Sequence, residues 1–375
     1  MMFKAVLLLI AMGNINIKKS LWVTARALRT KESIDELVEF SRRYGFDELF
    51  VQVVVGGYAY YQSNILPRTE YMSEDFDPLG YLLKKLEGNN IKVHAWINTC
   101  LYWSIKDKPK DSTHVLYQHP EWFLHDKEGR SMAEYEYEDI INYGIDGLFL
   151  DPSREEVRKF IADYATEIIT QYNVTGIHLD FIRYPGGYWD FSEENIEDFK
   201  ARFHIDPRLI SDAVDYRAPH WNTVMTREPH IRYYHWLRIH WNRERKDAIK
   251  GLVKTLKEKI QPKELTAAVF ANPASSSYNL GQDWREWINE RIIDRLCIMA
   301  YTPDKRSYKS FLEYASIYPK DRIVMGVGVY YHDAEDYAPQ EISDAIESGY
   351  KNIIIFDYFS LKNNKRLLKW MEKRS

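Results

Sequence analysis

The sequence is poor in the features that mark several protein classes. Its 375 residues include only two cysteines, Cys100 and Cys297, so it has no disulfide framework and the redox compartment stays open on that count. The formal net charge is −4, which offers no basic surface to neutralise phosphates, so nucleic acid is not an expected partner. Basic runs such as residues 254–259 read as a solvated helix face. No stretch is apolar for long enough to span a bilayer, and there is no low-complexity segment or sequence repeat. The longest apolar run covers residues 5–12, after Lys4 and before Gly13 and Asn14. It is too short for a span but fits the central region of a secretory signal. Residues 1–20 are therefore expected to be an N-terminal leader and residues 21–375 the folded domain, in a secreted or periplasmic protein. The competing reading, a short buried segment of a cytoplasmic protein, draws on the lack of an A-x-A cleavage site.

Aromatic residues, by contrast, are abundant, at 15% of the chain with 28 Tyr and 11 Trp. Rings with a flat face and a polar edge suit amphipathic ligands such as sugars. They are equally used to fill cores. From Leu21 onward, short β-branched or aromatic runs alternate with longer amphipathic ones, which is the spacing of βα units. Eight strands are predicted, at residues 21–28, 48–55, 91–99, 176–185, 265–273, 295–302, 322–330 and 352–360. Helical patterns lie between them, among them residues 31–45, 153–172, 245–260 and 338–350. Eight such repeats most simply close into an α/β (β/α)8 TIM barrel.

Two connections exceed the usual loop length, residues 100–151 after the third strand and 186–232 after the fourth. Both leave strand C-termini, the face on which barrel enzymes carry their sites. They are expected to be the walls of a groove lined by Tyr102, Trp103, Trp122, Tyr188, Trp189 and Trp221.

The fourth strand carries the clearest chemistry. Gly176, His178 and Asp180 alternate with Ile177 and Leu179, so the polar residues share one face and should point into the barrel. A carboxylate there is costly unless it is hydrogen-bonded or used, and Arg183 is close enough in sequence to hold it ionised or to brace strand to loop. The third strand repeats the pattern, with His94, Trp96 and Asn98 alternating with Val93, Ala95 and Ile97. Two inward histidines, His94 and His178, open a metal-site alternative, although no H-x-H pair or second carboxylate accompanies them. Buried structural histidines are the plainer reading.

These segments, GIHLDFIRYP at residues 176–185, VHAWIN, the HPEW run and LFLDPSREEVRKFI, resemble the glycosyl-hydrolase-like family 10 barrels, a bacterial group that includes enzymes acting on peptidoglycan glycan strands. The similarity runs in order from Leu21 to the eighth strand. It implies that Asp180 is the fourth-strand acid and that His94, Trp96, Asn98, Arg183 and Tyr184 line the pocket. The chain departs from many relatives in two places. Gly57, Tyr58 and Ala59 stand where a Gly-Asp-Ala run is usual, and Phe181 stands where a second acid follows the first.

Glycoside cleavage usually needs two carboxyl groups. Asp180 is assigned as nucleophile or base. For the acid, Asp304 after the sixth strand comes first by similarity to related barrels, with Asp357 and Asp333 as alternatives. Each has a turn or capping role as its plain reading. Asp151, followed by Pro152, reads as a helix N-cap. Glu121 is a candidate brace of the third loop, and Trp122 either stacks on sugar or plugs that loop. Arg26, Trp103, His178, Asn272 and Tyr301 are ligand contacts by position. The expected partner is a carbohydrate, with no cofactor and no metal. Two other classes compete: a carbohydrate-binding barrel without catalysis, favoured by the two departures, and a metal-dependent hydrolase using His94 and His178.

Overall fold

The computed structural model describes residues 17–73, 75–187, 189–210, 229–331 and 334–372, with only the backbone for 229–231. Tyr188, Trp221, Asp333 and nearly all of the N-terminal leader lie outside these residues. Eight parallel strands form the centre: β1 (Lys18–Val23), β2 (Glu48–Val55), β3 (Lys92–Asn98), β4 (Gly176–Asp180), β5 (Glu264–Phe270), β6 (Arg295–Met299), β7 (Ile323–Gly328) and β8 (Asn352–Phe356). Each pairs with its sequence neighbours, and β1 pairs with both β2 and β8, which closes the (β/α)8 barrel. Gly176 opens β4 because a Cβ there would lie 2.1 Å from the Glu264 carbonyl oxygen of β5.

Period-two alternation sorts the side chains into two cores. Outward residues such as Leu49, Val51, Ile177 and Leu179 pack under the surrounding helices. Inward residues, chiefly Trp22, Phe50, Trp96, Ala268, Cys297, Val324 and Ile354, fill the barrel itself. Helix α1 (Lys31–Arg43) is typical of the outer layer. Thr30 Oγ1 accepts from the Ser33 N–H at 3.1 Å while Ser33 Oγ accepts from the Thr30 N–H at 3.2 Å, and Ile34, Leu37 and Val38 are buried.

Several elements differ from the sequence-based expectation at their ends. Strand β1 takes in Lys18, Lys19 and Ser20, which the leader reading assigned to residues 1–20, because Lys19 N–H donates to Asp47 at 2.7 Å and Ser20 Oγ to Glu48 at 3.1 Å. Residues 25–28 form a 3-10 turn instead of prolonging the strand. Asp151 is not an N-cap. Its Oδ1 accepts from the Ser153 N–H and hydroxyl in a tight turn, while Arg154 holds the cap position of α2 (Glu155–Gln171).

The largest difference is in the fourth connection. A helix α3 (Glu193–Phe203) is followed by α4 (Pro229–Ile260), whose 32 residues span about 48 Å, against about 23 Å for a seven-residue strand. The sequence pattern reveals only its lower half, residues 245–260. Its upper half packs Leu237 and Trp241 against Phe191, Ile196, Phe199 and Ile210, a separate small core. Glu244 and Asp247 are level with Ser153 and Arg158 at the start of α2, lining one polar cavity of about 260 Å³. Residues 229–243 therefore stand above the barrel on the side where its strands end.

Candidate active site

The floor of the barrel is a closed set of charges. Arg295 Nε and Nη2 donate to Glu264 at 2.7 and 2.9 Å, and Nη1 and Nη2 donate to Glu48 at 2.9 and 3.0 Å. Lys18 Nζ reaches Glu48 at 2.5 Å. His94 Nε2 lies 3.2 Å from Arg295 Nη2 and 3.4 Å from Glu48 Oε1. Burial works to raise the Glu48 pKa, but the hydrogen bonds from His94 and Arg295 and the Arg295 charge outweigh it, holding the carboxyl well below its ordinary range. Burial holds His94 neutral. Glu48, His94 and Glu264 bring possible ligand atoms within 4.8 Å of one another, yet the Arg295 guanidinium already provides their positive charge. His94 thus belongs to the floor, not to a substrate pocket.

One layer up, His178 is fully buried. The Trp22 indole N–H donates to its Nε2 at 3.0 Å, so the ring proton is on Nδ1, which donates to Thr266 Oγ1 at 2.9 Å. Burial pushes its pKa well below the usual imidazole value. Phe50 stacks on His94 at 4.5 Å and meets His178 edge-on at 4.8 Å. Both ring nitrogens of His178 are bonded and Phe50 packs on both imidazoles, so although His94 Nδ1 has no hydrogen-bond partner, the two histidines do not form the paired metal site of the metal-dependent alternative.

The mouth is different. Asp180 ends β4, half-buried, opposite Asn98 in the β3–β4 register. Its Oδ1 accepts from the Phe181 N–H at 2.8 Å. Phe181 has a φ of 50°, a left-handed conformation that costs a non-glycine residue energy and turns the chain sharply out of the strand. Arg183 does not pair with Asp180. Its Nη2 donates to Asp146 at 2.7 Å, and its guanidinium lies over Phe181, Phe149 and Phe270. Burial, opposed by the Phe181 N–H and the Arg183 charge, pushes the Asp180 carboxyl up to about 6.

Around it stand Trp96, Asn98, Tyr301 and Asp357. The Trp96 indole N–H is buried and makes no close hydrogen bond among the described residues, but it lies near enough to Asp180 to favour its ionised form. Asn98 Oδ1 accepts from Gln52 Nε2 at 3.0 Å, which leaves its NH2 group free of partners among the described residues. Tyr301 packs against Trp22, Phe356 and Tyr330, and burial together with the nearby Asp180 charge keeps its phenol protonated far above the usual pH. Asp357 follows β8 and also acts on Tyr301; its Oδ1 accepts from the Ser360 N–H at the start of the helix Tyr358–Asn363. Gln52, Trp22, Phe356 and Tyr330 were not singled out from the sequence, although Gln52 alternates with Val51 and Val53 just as His178 does with its neighbours.

Other expected contacts lie elsewhere. Asp304 is exposed and caps the helix Lys305–Ala315, accepting from Ser307 N–H at 2.8 Å, a bond that lowers its pKa. Asn272 is exposed and caps Pro273–Leu280. Arg26 is exposed with its guanidinium 4.8 Å over the Phe359 ring. Trp103 is buried, donating to Asp107 O and packing on His114. Tyr184 is fully buried, donating to Asp190 at 3.2 Å. Tyr102 and Trp189 are buried too, so these loop aromatics fill the interior of the long connections in place of lining a groove. Trp122 stacks on His119 at 3.8 Å and packs on Phe160 of α2, which makes it a plug; Glu121 pairs with His119 within its own turn. The two long connections are joined to each other, with Asp190 and Phe191 N–H both donating to His125 O.

A closed (β/α)8 barrel with a half-buried carboxyl at the end of β4 is an architecture that glycoside hydrolases share with many other barrel proteins. The sequence profile of the family Glycosyl hydrolase-like 10 matches residues 12–338, and the chain belongs to that family. The curated relative "Glycosyl hydrolase DigH" of Escherichia coli (strain K12) is 27% identical over 166 residues, 42% of this chain and 35% of that protein. The chain therefore matches about a third of that relative's length. Among solved structures, the PgaB (BpsB) glycoside hydrolase domain from Bordetella bronchiseptica superposes with a TM-score of 0.63 at 12% identity, covering 95% of this chain and 98% of that one. The catalytic domain of β-amylase from Paenibacillus polymyxa gives 0.59 at 11%, covering 94% of each. At these identities the likeness concerns the fold.

Proposed function

We propose that the protein hydrolyses an O-glycosidic bond of a poly- or oligosaccharide at the mouth of the barrel, with Asp180 as the carboxyl that carries the proton. The supporting observation is the raised pKa of Asp180, about 6, at a half-open position beside the Trp96 indole and the Asn98 NH2 group, the latter without a partner among the described residues. A carboxyl that keeps its proton to near neutral pH fits a general acid for the leaving oxygen, in place of the nucleophile or base assigned from sequence. Asp357, across Tyr301, is the second carboxyl in this reading, and the Tyr301 hydroxyl is a protonated donor between them. Peptidoglycan glycan strands are the first substrate to try, on the family resemblance, and the reading of the apolar run at residues 5–12 as part of an export leader accords with a substrate outside the cytoplasm.

A second reading, sugar binding without cleavage, draws on Phe181 and Tyr58 standing where relatives carry further acids. One assay separates the two. Purified protein is incubated with denuded peptidoglycan glycan strands, and products are read by mass spectrometry. Shortened strands that disappear with Asp180→Asn support hydrolysis. Strands that are bound but never shortened support the binding-only barrel.

A further inference from the structure

The upper half of α4 has an unusual composition. From residue 229 to 243 it has no Asp or Glu, but it contains Arg232, Arg238 and Arg243, three histidines, and Tyr233, Tyr234, Trp236 and Trp241. Helical spacing divides these between two faces. Leu237 and Trp241 point into the small core with α3, and one turn below Arg245 hydrogen-bonds to Gly186 O and lies 4.5 Å over the Tyr184 ring, so this side faces the exit of β4. Arg232, Tyr233, Trp236, Ile239 and Arg243 are on the opposite, exposed side.

Trp236 is 46% exposed and Tyr233 48% exposed, which is high for rings of this size. They are not loose. Trp236 lies nearly parallel to Tyr233 at 6.0 Å and is held edge-on by Phe203 of α3 at 5.6 Å and by His240 at 4.3 Å. Phe203 also contacts His240 at 4.9 Å. The result is a fixed row of open ring faces with an arginine at each end, about 16 Å apart along the helix axis. Among the described residues Arg232 has no ion-pair partner, and Arg243 pairs with Asp247 alone, at 3.8 Å.

We infer that this row is a second carbohydrate-binding site, distinct from the barrel mouth, that holds an anionic glycan strand. Ring faces stack on the apolar faces of sugars, and the two guanidinium groups pair with carboxylates carried along the strand. The acid-free upper half of the helix, residues 229–243, provides the charge complementarity. Burial of the ring edges against Phe203 and His240 favours a flat ligand lying on the surface over a bilayer, into which aromatic side chains would have to insert. The choice of a glycan rests on the proposed hydrolase reading, because a long polymer held on a wall above the barrel stays close to the mouth.

The test uses the full chain carrying Asp180→Asn, so that cleavage does not disturb binding. Affinity for denuded peptidoglycan glycan strands is measured with and without Trp236→Ala, and separately with Tyr233→Ala, alongside vesicles of phosphatidylglycerol. The expected result is at least a tenfold loss of glycan affinity in both variants, weaker binding of the parent at high salt, and no Trp236-dependent vesicle binding. In a chain with Asp180 intact, Trp236→Ala should leave turnover of a short oligosaccharide unchanged. Equal glycan affinity with and without Trp236, or Trp236-dependent binding to vesicles alone, overturns the inference. Trp236-dependent glycan binding by a chain that never cleaves upholds it and removes the hydrolase reading; cleavage of strands with no role for Trp236 in binding does the reverse.

Discussion

The barrel holds acidic side chains at both ends, and they behave in opposite ways. Glu48 at the floor is more completely buried than Asp180 at the mouth, yet Glu48 stays ionised far below the ordinary carboxyl range while Asp180 keeps its proton up to about 6. Burial penalises both. The difference is in the partners: Glu48 receives Arg295, Lys18, His94 and Ser20, whereas Asp180 receives one backbone N–H and a weaker contribution from the Trp96 indole, with the nearest guanidinium turned to Asp146. A charge neutralised on every side holds a structure together. A carboxyl left with a costly choice of protonation state is available for chemistry.

The comparison can be broken most directly at the mouth. Asp180→Asn is expected to leave the far-ultraviolet circular dichroism unchanged and to lower turnover of glycan by three orders of magnitude or more, about 4 kcal/mol of transition-state stabilisation. Asp357→Asn, which keeps a capping side chain, should also lower turnover severely. A folded Asp180→Asn protein with near-native rate would remove Asp180 from the mechanism. For the intact enzyme, kcat/KM should fall as pH rises above about 6, because the acid loses its proton there.

At the floor the expected loss is of stability, not of chemistry. Arg295→Met leaves Glu48 and Glu264 without their shared cation, and urea titration should show a loss of about 3 to 4 kcal/mol. Retained stability would mean that the floor charges are dispensable. A subtler contrast comes from linkage. The Asp180 pKa is raised from an ordinary 3.8, so the folded state binds more protons between about pH 4 and 6, and this group's contribution falls as pH rises through that window. Glu48 is depressed from an ordinary 4.5, so its contribution is present above that value and is lost only as pH falls well below it. Asp180→Asn should therefore be more stable than the parent above pH 6, by about 3 kcal/mol, and the gap should close toward pH 4. An advantage that persists at pH 4 would assign the effect to packing. Smallest of all, Asp304→Ala should lower the melting temperature slightly through loss of the Ser307 cap and leave turnover unchanged, whereas a large loss of turnover would restore Asp304 to the site.

Much of the barrel was legible in the chain. Residues 48–55 were assigned as a strand and form β2 with those same ends, and the two-residue period of β3 and β4 put His94, Trp96, Asn98, His178 and Asp180 on the inner face. The period does not report height along the barrel. His94 and Asn98 look equivalent in sequence, yet one is in the floor and the other beside Asp180. The capping positions of Asp304 and Asn272 have another cause, since a residue that ends a strand at the catalytic face also begins a helix, and its side chain goes to the nearest unpaired N–H groups. The loop aromatics mislead for a third reason: connections this long need interiors of their own, and Tyr102, Trp103 and Trp189 fill them.

Local patterning by itself determined that eight βα units would form and which side of each strand would face inward, because both depend on interactions a few residues apart. Only the tertiary structure decided which inward group is neutralised and which is left wanting. That depends on partners such as Arg295 and Glu48, 247 residues apart, that meet only when the barrel closes.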